Sequence, residues 1–181
     1  MKKLLVALCA VGLTVSAFGQ GQIISQNSAS TAITNLMTGQ RAVVSTMVGF
    51  YANPNAGAAA GDAGWVLAGG TTNLFSPGIF LGGTRTYSGF AAGTPAAVQV
   101  RAWLTAGSFS SYEAAMAGEP GGAFGQSIVM QITPQVAPTP IPTMTAAGLQ
   151  PFTIIGNVPE PSSIALGLLG LGAIALFRRR K

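Results

Sequence analysis

The sequence predicts an all-β body, a small antiparallel β-sandwich, with an N-terminal signal peptide and a C-terminal short transmembrane helix. Three observations predict this arrangement. Apolar and polar residues alternate with a period of two over many short stretches. Turn signals rich in Gly, Pro and Asn separate these stretches at roughly regular spacing, which is typical of a sandwich. Charged residues make up only 7% of the chain, and most of them flank an apolar segment at one end or the other.

Residues 1–19 are predicted to be a secretory signal peptide. Two lysines precede an apolar run that is too short for a stable membrane span. Small residues near the end of this segment fit cleavage by signal peptidase between Gly19 and Gln20, after entry into the secretion translocon. An uncleaved membrane anchor is the alternative. Cleavage would remove Cys9, the only cysteine of the chain, so the exported body would contain no thiol.

The body is predicted to span residues 20–133, and its first strand is Ala42–Tyr51. This stretch is nearly all apolar, as is typical of a central strand. Shorter strands follow, separated by paired glycines and by the turn signal Ser76-Pro77-Gly78. These shorter strands are predicted at Trp65–Ala68, Ile79–Leu81 and Arg85–Phe90.

The clearest alternation runs from Ala97 to Thr105. One face of that strand would carry Val98, Val100, Ala102 and Leu104, and the other face Gln99, Arg101, Trp103 and Thr105. The stretch Ser111–Ala117 has a helical pattern, because Ser111 is a favourable N-cap residue. A further strand is predicted at Ser127–Thr133, where alternation resumes.

Residues 134–157 are predicted to be a proline-rich spacer. Four prolines lie within the nine residues 134–142, a density that favours extended polyproline structure. A loop docked on the body is an equal alternative, because Phe152–Ile155 is suited to a last strand that returns to the sheet.

The last 24 residues, 158–181, combine three features. The rigid tetrapeptide Val158-Pro159-Glu160-Pro161 comes first, since proline on both sides keeps the glutamate extended. An apolar run at 164–177 follows, which as a helix would be about 21 Å long and so shorter than a hydrocarbon core of about 30 Å. Such a segment suits a transient stop in the membrane better than a permanent anchor. The chain closes on four cations, Arg178, Arg179, Arg180 and Lys181.

This C-terminal pattern resembles the PEP-CTERM sorting signal of Gram-negative bacteria. The resemblance rests on Pro159-Glu160-Pro161, a short Gly/Leu-rich apolar stretch and an Arg cluster, in that order. It implies recognition by an exosortase-type membrane transpeptidase, which removes the apolar tail near the tripeptide. It also implies a transient stay in the inner membrane, then a place at the cell surface or outside the cell, commonly beside extracellular polysaccharide. An ordinary single-pass tail anchor is the alternative.

A second resemblance concerns the body. The segments Gly89–Pro95, Val98–Ala102 and Gly125–Ser127 are similar to the latter half of a fibronectin type III module, in which a Gly-Thr turn precedes an alternating strand. The strand tyrosine of that module is missing here, and the loop 108–124 is long for it. This resemblance implies sandwich architecture and no particular activity.

The distribution of charge bears on topology and on partners. The net charge is +5, but the basic residues are concentrated at the two ends, and cations at both ends are expected to stay in the cytoplasm. The body would then lie outside the inner membrane. It is itself neutral, so binding to nucleic acid, which needs clustered basic residues, is not expected. Its charged residues are Arg41, Arg85, Arg101, Asp62, Glu113 and Glu119.

Several kinds of catalytic and metal site are disfavoured by composition. The chain has no histidine, and a serine nucleophile in the body would lack a His or Lys base. The glutamates Glu113 and Glu119 are six residues apart with Gly118 between them, a poor arrangement for a glycosidase pair. Asp62 alone cannot hold calcium. We therefore expect no enzymatic activity, no cofactor and no metal.

Aromatic residues are the remaining candidates for ligand binding, because sugars stack on them. Trp65 and Trp103 are the candidates for glycan stacking, and core packing is the alternative for each. Trp103 shares its strand face with Arg101, so its ring would be partly exposed or covered by a loop. The sequence thus predicts an exported, non-enzymatic protein of the cell surface or extracellular matrix, with a carbohydrate-binding module as the alternative.

Overall fold

The computed structural model describes residues 19–105, 109–117 and 123–156. Within these ranges the body is all-β, which confirms the predicted fold class, and its helical structure amounts to one short helix, α1 (Tyr112–Met116), and a 3₁₀ turn. The strands are β1 (Gln20–Gln26), β2 (Thr34–Asn35), β3 (Thr46–Asn53), β4 (Val66–Ser76), β5 (Ile79–Ala91), β6 (Ala96–Leu104), β7 (Ala123–Gln126), β8 (Met130–Ile132) and β9 (Thr153–Gly156).

These strands are joined in one curled sheet. Its order is β1-β5-β4-β3-β6-β7-β9-β2, and β8 pairs with β6 beside this path. All pairs are antiparallel except β2 with β9. Ile23 of β1 and Ile154 of β9 come from opposite parts of the path and both belong to the main hydrophobic cluster. The sheet therefore curls around its core, where the sequence suggested a sandwich of two sheets.

The central strand β6 is buried on both faces. Val98, Val100 and Ala102 lie in the main cluster, and Trp103 lies in a second, mainly aromatic cluster on the other face. The predicted alternation of this strand is confirmed, and the face that carries Arg101 is covered as well. A second, separate core thus lies outside the curled sheet, between β3, β6 and α1. This second cluster consists of Tyr51, Trp103, Phe109, Tyr112 and Ala115.

The region predicted as three short strands forms one long hairpin, β4–β5. Its turn lies at the predicted Ser76-Pro77-Gly78, where Gly78 has φ +74°. The other turn signals fall inside the strands, because Gly70 and Gly83 take positive φ values, +72° and +67°, without ending the pairing. Glycines inside strands can mark irregularities as well as turns, and here the strand register shifts beside both of them.

Two other strands start or end differently from the prediction. The strand predicted from residue 42 begins at Thr46, since Ala42 instead donates its N–H to Ile33 and accepts one from Gly78. The strand predicted from residue 127 begins at Met130. The Ser127 hydroxyl accepts a hydrogen bond from the backbone N–H of Val100 and donates to the Ile128 carbonyl, so a side-chain oxygen takes the place of a backbone acceptor at this position.

The proline-rich segment is docked on the body. Gln135 pairs with Gln22, and the Ile24 backbone bonds to residues on either side of Thr143. Met144 and Leu149 are buried in the main cluster. The segment therefore covers the edge of β1, which would otherwise present unpaired backbone groups. Of the two alternatives, the docked loop is the one observed, and it leads into β9 as the last strand.

Within the described part of the chain, no helix has the length and apolar character needed to cross a membrane. The predicted transmembrane segment, the sorting motif at Val158–Pro161 and the terminal cations lie outside the described residues. The same is true of residues 1–18 of the predicted signal peptide and of Glu119.

Candidate functional site

A buried arginine lies at the centre of the second cluster. Arg101 is 8% exposed, on the outer face of β6. Its Nε donates a hydrogen bond to Gln99 Oε1 over 2.9 Å, and Gln99 in turn donates to the carbonyl of Ser127 over 3.0 Å. A charged group is buried at little cost only when it is paired and hydrogen-bonded, and this chain of bonds meets part of that requirement.

Three aromatic rings provide the remaining favourable contacts of the buried Arg101 guanidinium. The guanidinium carbon lies 4.4 Å from the ring centroid of Tyr51, 5.2 Å from that of Tyr112 and 5.4 Å from that of Trp65. A planar guanidinium is weakly hydrated and stacks favourably on aromatic faces. Lysine would make these contacts poorly, so the three rings account for arginine at this position.

Glu113 approaches the same guanidinium from solvent. Its Oε1 lies 3.7 Å from Arg101 Nη1, and its side chain is 54% exposed. Because an exposed ion pair contributes little, this carboxylate adds less to the position of the arginine than the rings do. Its other oxygen accepts a hydrogen bond of 3.2 Å from the Tyr51 hydroxyl, which fixes the carboxylate over the cluster.

The helix α1 carries Glu113 to this position. Ser111 caps the helix by accepting a hydrogen bond from the Ala114 N–H over 3.1 Å, as the sequence predicted. Tyr112 and Ala115 are buried against the cluster, and the Tyr112 hydroxyl donates to Gln126 Oε1 over 3.2 Å. The exposed side of the helix is therefore held facing the loop that precedes β4.

A cavity of about 530 Å³ lies between that loop and α1, with Arg101 at its base. We call it the Arg101 cavity. Asp62 and Trp65 line it from the loop, where the Asp62 carboxylate accepts the Ala59 N–H over 2.8 Å and the Trp65 indole N–H donates to the Ala59 carbonyl over 3.0 Å. The principal side chains lining the cavity are Asp62, Trp65, Arg101, Glu113, Met116 and Gln126.

The two tyrosines of this site are neutral near pH 7. Burial raises the pKa of Tyr51, and the negative charge of Glu113 raises it further, while Arg101 acts in the opposite direction. Burial also raises the pKa of Tyr112, with Arg101 lowering it and Glu113 raising it to lesser extents. These hydroxyls can donate and accept hydrogen bonds, but they cannot act as bases at neutral pH.

The chemistry of the cavity suits hydroxyl-bearing ligands. Asp62, Glu113 and Gln126 supply hydrogen-bond acceptors, and the partly buried Trp65 supplies an apolar ring face beside them. Among the described residues, no group of three or more acidic, His or Cys side chains is arranged to hold a metal ion.

The structure separates the two tryptophans proposed for glycan stacking. Trp65 lines the cavity, whereas Trp103 is 2% exposed and donates its indole N–H to the Phe109 carbonyl over 3.3 Å. Burial under the segment that starts at Phe109 leaves no free ring face on Trp103, so its assignment as a stacking residue is wrong. Trp103 is a core residue, which was the alternative.

Several residues of the site were not singled out from the sequence. Gln126 and Met116 line the cavity, yet nothing in their sequence context distinguishes them from other surface residues. Arg101 carried a usable signal, since it is the only charged residue in an alternating strand that is otherwise apolar except for Gln99. At the amino-terminal boundary, Gly19 accepts the Ala92 N–H over 2.8 Å and Gln20 begins β1.

Comparison with known families adds one finding. Residues 157–181 match the PEP-CTERM protein-sorting motif. No curated protein and no solved structure matches the chain. The match covers the segment that follows β9.

Proposed function

Because the chain carries a PEP-CTERM sorting motif and is thus an exported protein processed by an exosortase, we propose that it is a non-enzymatic structural or adhesive protein of the cell surface or extracellular matrix. The motif at residues 157–181 carries this proposal. Signal peptidase would cut between Gly19 and Gln20, and the exosortase-type transpeptidase would cut near Pro159–Pro161. The inner membrane would hold the chain only between these two steps.

The charge distribution supports this route. Lys2 and Lys3 lie before the first apolar segment, and Arg178–Lys181 lie after the second. Cations on both cytoplasmic flanks leave the intervening body on the other side of the membrane. Gln20 is exposed at the start of β1, so a cut before it removes no buried side chain from the sheet.

The absence of an enzyme activity is supported by the residue types of the body. Between residues 20 and 158 the chain has no His, Lys or Cys, which leaves the carboxylates as the side chains that could serve as bases near neutral pH. Glu113 is engaged with both Tyr51 and Arg101. An arrangement of this kind suits a stable surface that binds or packs better than it suits acid–base chemistry.

Replacing Glu160 with Ala is expected to block sorting while leaving export intact. The variant should accumulate at full tail length in the inner membrane, whereas released wild-type protein should begin at Gln20 and lack residues 164–181 by intact-mass analysis. Glu119→Ala, the same chemical change outside the motif, serves as the control and should be released normally. Release of the Glu160→Ala variant at the wild-type rate would contradict a role for the tripeptide.

The Arg101 cavity supports a second candidate function, binding of a neutral glycan. Trp65 would stack on an apolar sugar face, and Asp62 and Glu113 would accept hydrogen bonds from hydroxyl groups. On a glycan array the released protein should show saturable binding. Trp65→Ala should abolish this binding, while the variant still unfolds in urea in one cooperative transition. Phe75→Ala, which removes an aromatic ring that is 73% exposed away from the cavity, should leave binding unchanged. If the wild-type protein shows no saturable binding, the glycan-binding function is contradicted and only the structural or adhesive role remains.

A further inference from the structure

One end of the body exposes an unusual number of large apolar side chains. Six of them are between 51% and 73% exposed, although the rest of that region contains small and polar residues. We call this surface the apolar end; its members are Leu36, Met37, Val43, Val44, Phe75 and Ile155. Exposed apolar side chains that cluster in this way mark interaction surfaces.

Backbone hydrogen bonds hold these residues at the same end of the sheet. The Leu36 N–H donates to Ile154 over 3.0 Å, which ties the loop 36–45 to β9. The Gly78 N–H donates to Ala42 over 2.8 Å, which ties the same loop to the β4–β5 turn beside Phe75. The loop is therefore a fixed part of the sheet end, so its apolar side chains are presented together.

The chain leaves the body at this end. Gly156 is the last residue of β9, and the Met37 sulfur occupies the space into which a side chain at position 156 would extend. Gln20, by contrast, pairs with Ala91 at the far end of β5. Seven residues, and so eight Cα–Cα steps, separate Gly156 from Ile164, where the apolar tail starts. They span at most about 29 Å, so the apolar end cannot be far from the point where the tail enters a membrane.

The charge of this end fits a lipid surface better than a second copy of the chain. Arg41 is the only charged residue in the loop 36–45, and it is exposed. A cation beside apolar side chains is attracted to anionic headgroups. A symmetric dimer formed through the same surface would bring two such arginines together, which is unfavourable.

We propose that the apolar end docks the body on the bilayer surface while the tail is still inserted, and that this contact holds Pro159–Pro161 at the level of the headgroups. The proposal rests on the sorting route proposed above. Tethering raises the effective concentration of the apolar end at the membrane, whereas a few apolar side chains on their own bind reversibly. Removal of the tail would therefore also end the docking and free the body.

The test places an environment-sensitive nitrobenzoxadiazole label on a single cysteine in the full-length chain. Met37→Cys reports on the apolar end, Thr94→Cys on the exposed turn at the opposite end, and Cys9→Ala is present in both. The chains are inserted into phosphatidylcholine–phosphatidylglycerol vesicles that carry a lipid-bound quencher. We expect quenching at position 37 to exceed quenching at position 94 by at least about threefold, because only the apolar end contacts lipid.

A matched pair of double variants examines the side chains themselves. Leu36→Ser with Val44→Ser should reduce the quenching at position 37 by at least about threefold. Val66→Ser with Ile128→Ser removes two apolar side chains of similar exposure, 49% and 53%, away from the apolar end and should have no effect. Since all four side chains are about half exposed or more, both pairs should retain the wild-type urea midpoint.

The outcomes separate docking from the sorting route. Equal quenching at positions 37 and 94, in a chain that resists carbonate extraction, would overturn docking while leaving the inserted tail intact. If carbonate extracts the chain from the vesicles, the tail is not inserted in the bilayer, and both the sorting route and the docking are overturned. A third outcome is that the label at position 37 reports an apolar environment that grows with the protein-to-lipid ratio, but is not quenched by the lipid-bound quencher. This result would assign the apolar end to contact with a second copy of the chain and overturn the bilayer contact.

Discussion

Above about pH 10 the folded body is expected to lose stability steeply, after a flat range between about pH 6 and 9. The chain has three tyrosines, and all are buried, at 4% exposure for Tyr51, 0% for Tyr87 and 3% for Tyr112. Burial is the largest cause that raises the pKa of each one above its usual value near 10. Residues 20–156 contain no His, Lys or Cys, so few other side chains titrate in this range.

The direction follows from proton linkage. The folded state holds tyrosine protons that the unfolded chain releases once the pH passes about 10, so the raised pKa values stabilise the fold fully below that pH. As the pH rises further, the free energy of unfolding falls by up to about 1.4 kcal/mol per pH unit for each tyrosine. Three such groups give at most about 4 kcal/mol per unit, a large part of the 5–15 kcal/mol typical of a whole domain.

Urea unfolding of the released protein between pH 6 and 12, with tyrosinate absorbance recorded in parallel, measures this effect. Tyrosinate should appear together with unfolding. The Tyr87→Phe variant should reduce the alkaline slope by about a third, because it removes one of the three tyrosines. Among the described residues, the Tyr87 hydroxyl bonds only to that of Ser25, over 3.3 Å, so the substitution disturbs little else. Tyrosinate that forms with a pKa near 10 while the protein remains folded would contradict the burial of these rings.

The sequence was most informative where side chains alternate over a long stretch. The β6 pattern placed Val98 and Trp103 on opposite faces, and Ser111 was correctly identified as the helix cap. Local patterns of this kind reflect which face of a strand is buried and which side chain can satisfy a helix end. Both are properties of a few neighbouring residues, so they can be predicted without the fold.

What could not be predicted depends on contacts between distant residues. Gly70 and Gly83 resemble turn residues, but the pairing of β4 with β3 and of β5 with β1 carries the strands past them. The proline-rich segment resembles a spacer, but its docking depends on Ile24, more than 100 residues earlier. The Arg101 cavity likewise joins Asp62, Glu113 and Gln126 from separate elements, and the pairing of β6 with β3 and β7 brings these elements together.

Trp103→Ala is expected to lower the free energy of unfolding by about 3–5 kcal/mol, the usual range for truncating a buried tryptophan. The indole is buried in the second cluster and donates its N–H to the Phe109 carbonyl. The helix α1 has only five residues, too few to be stable without tertiary packing. Loss of the Trp103 ring should therefore release α1 and with it the position of Glu113 over the cavity.

Trp65→Ala is the matched control, since it removes the only other tryptophan from a partly buried site. It should cost about 1–2 kcal/mol, for lost apolar area and the contact with Arg101. Urea midpoints at an unchanged m value measure both effects. In the Trp103→Ala variant the remaining Trp65 emission should shift to the red before global unfolding, because α1 no longer covers the cavity. A loss below about 1 kcal/mol for Trp103→Ala would show that this ring is not part of the core, and the case for Trp65 as the single ligand-facing tryptophan would then fail too.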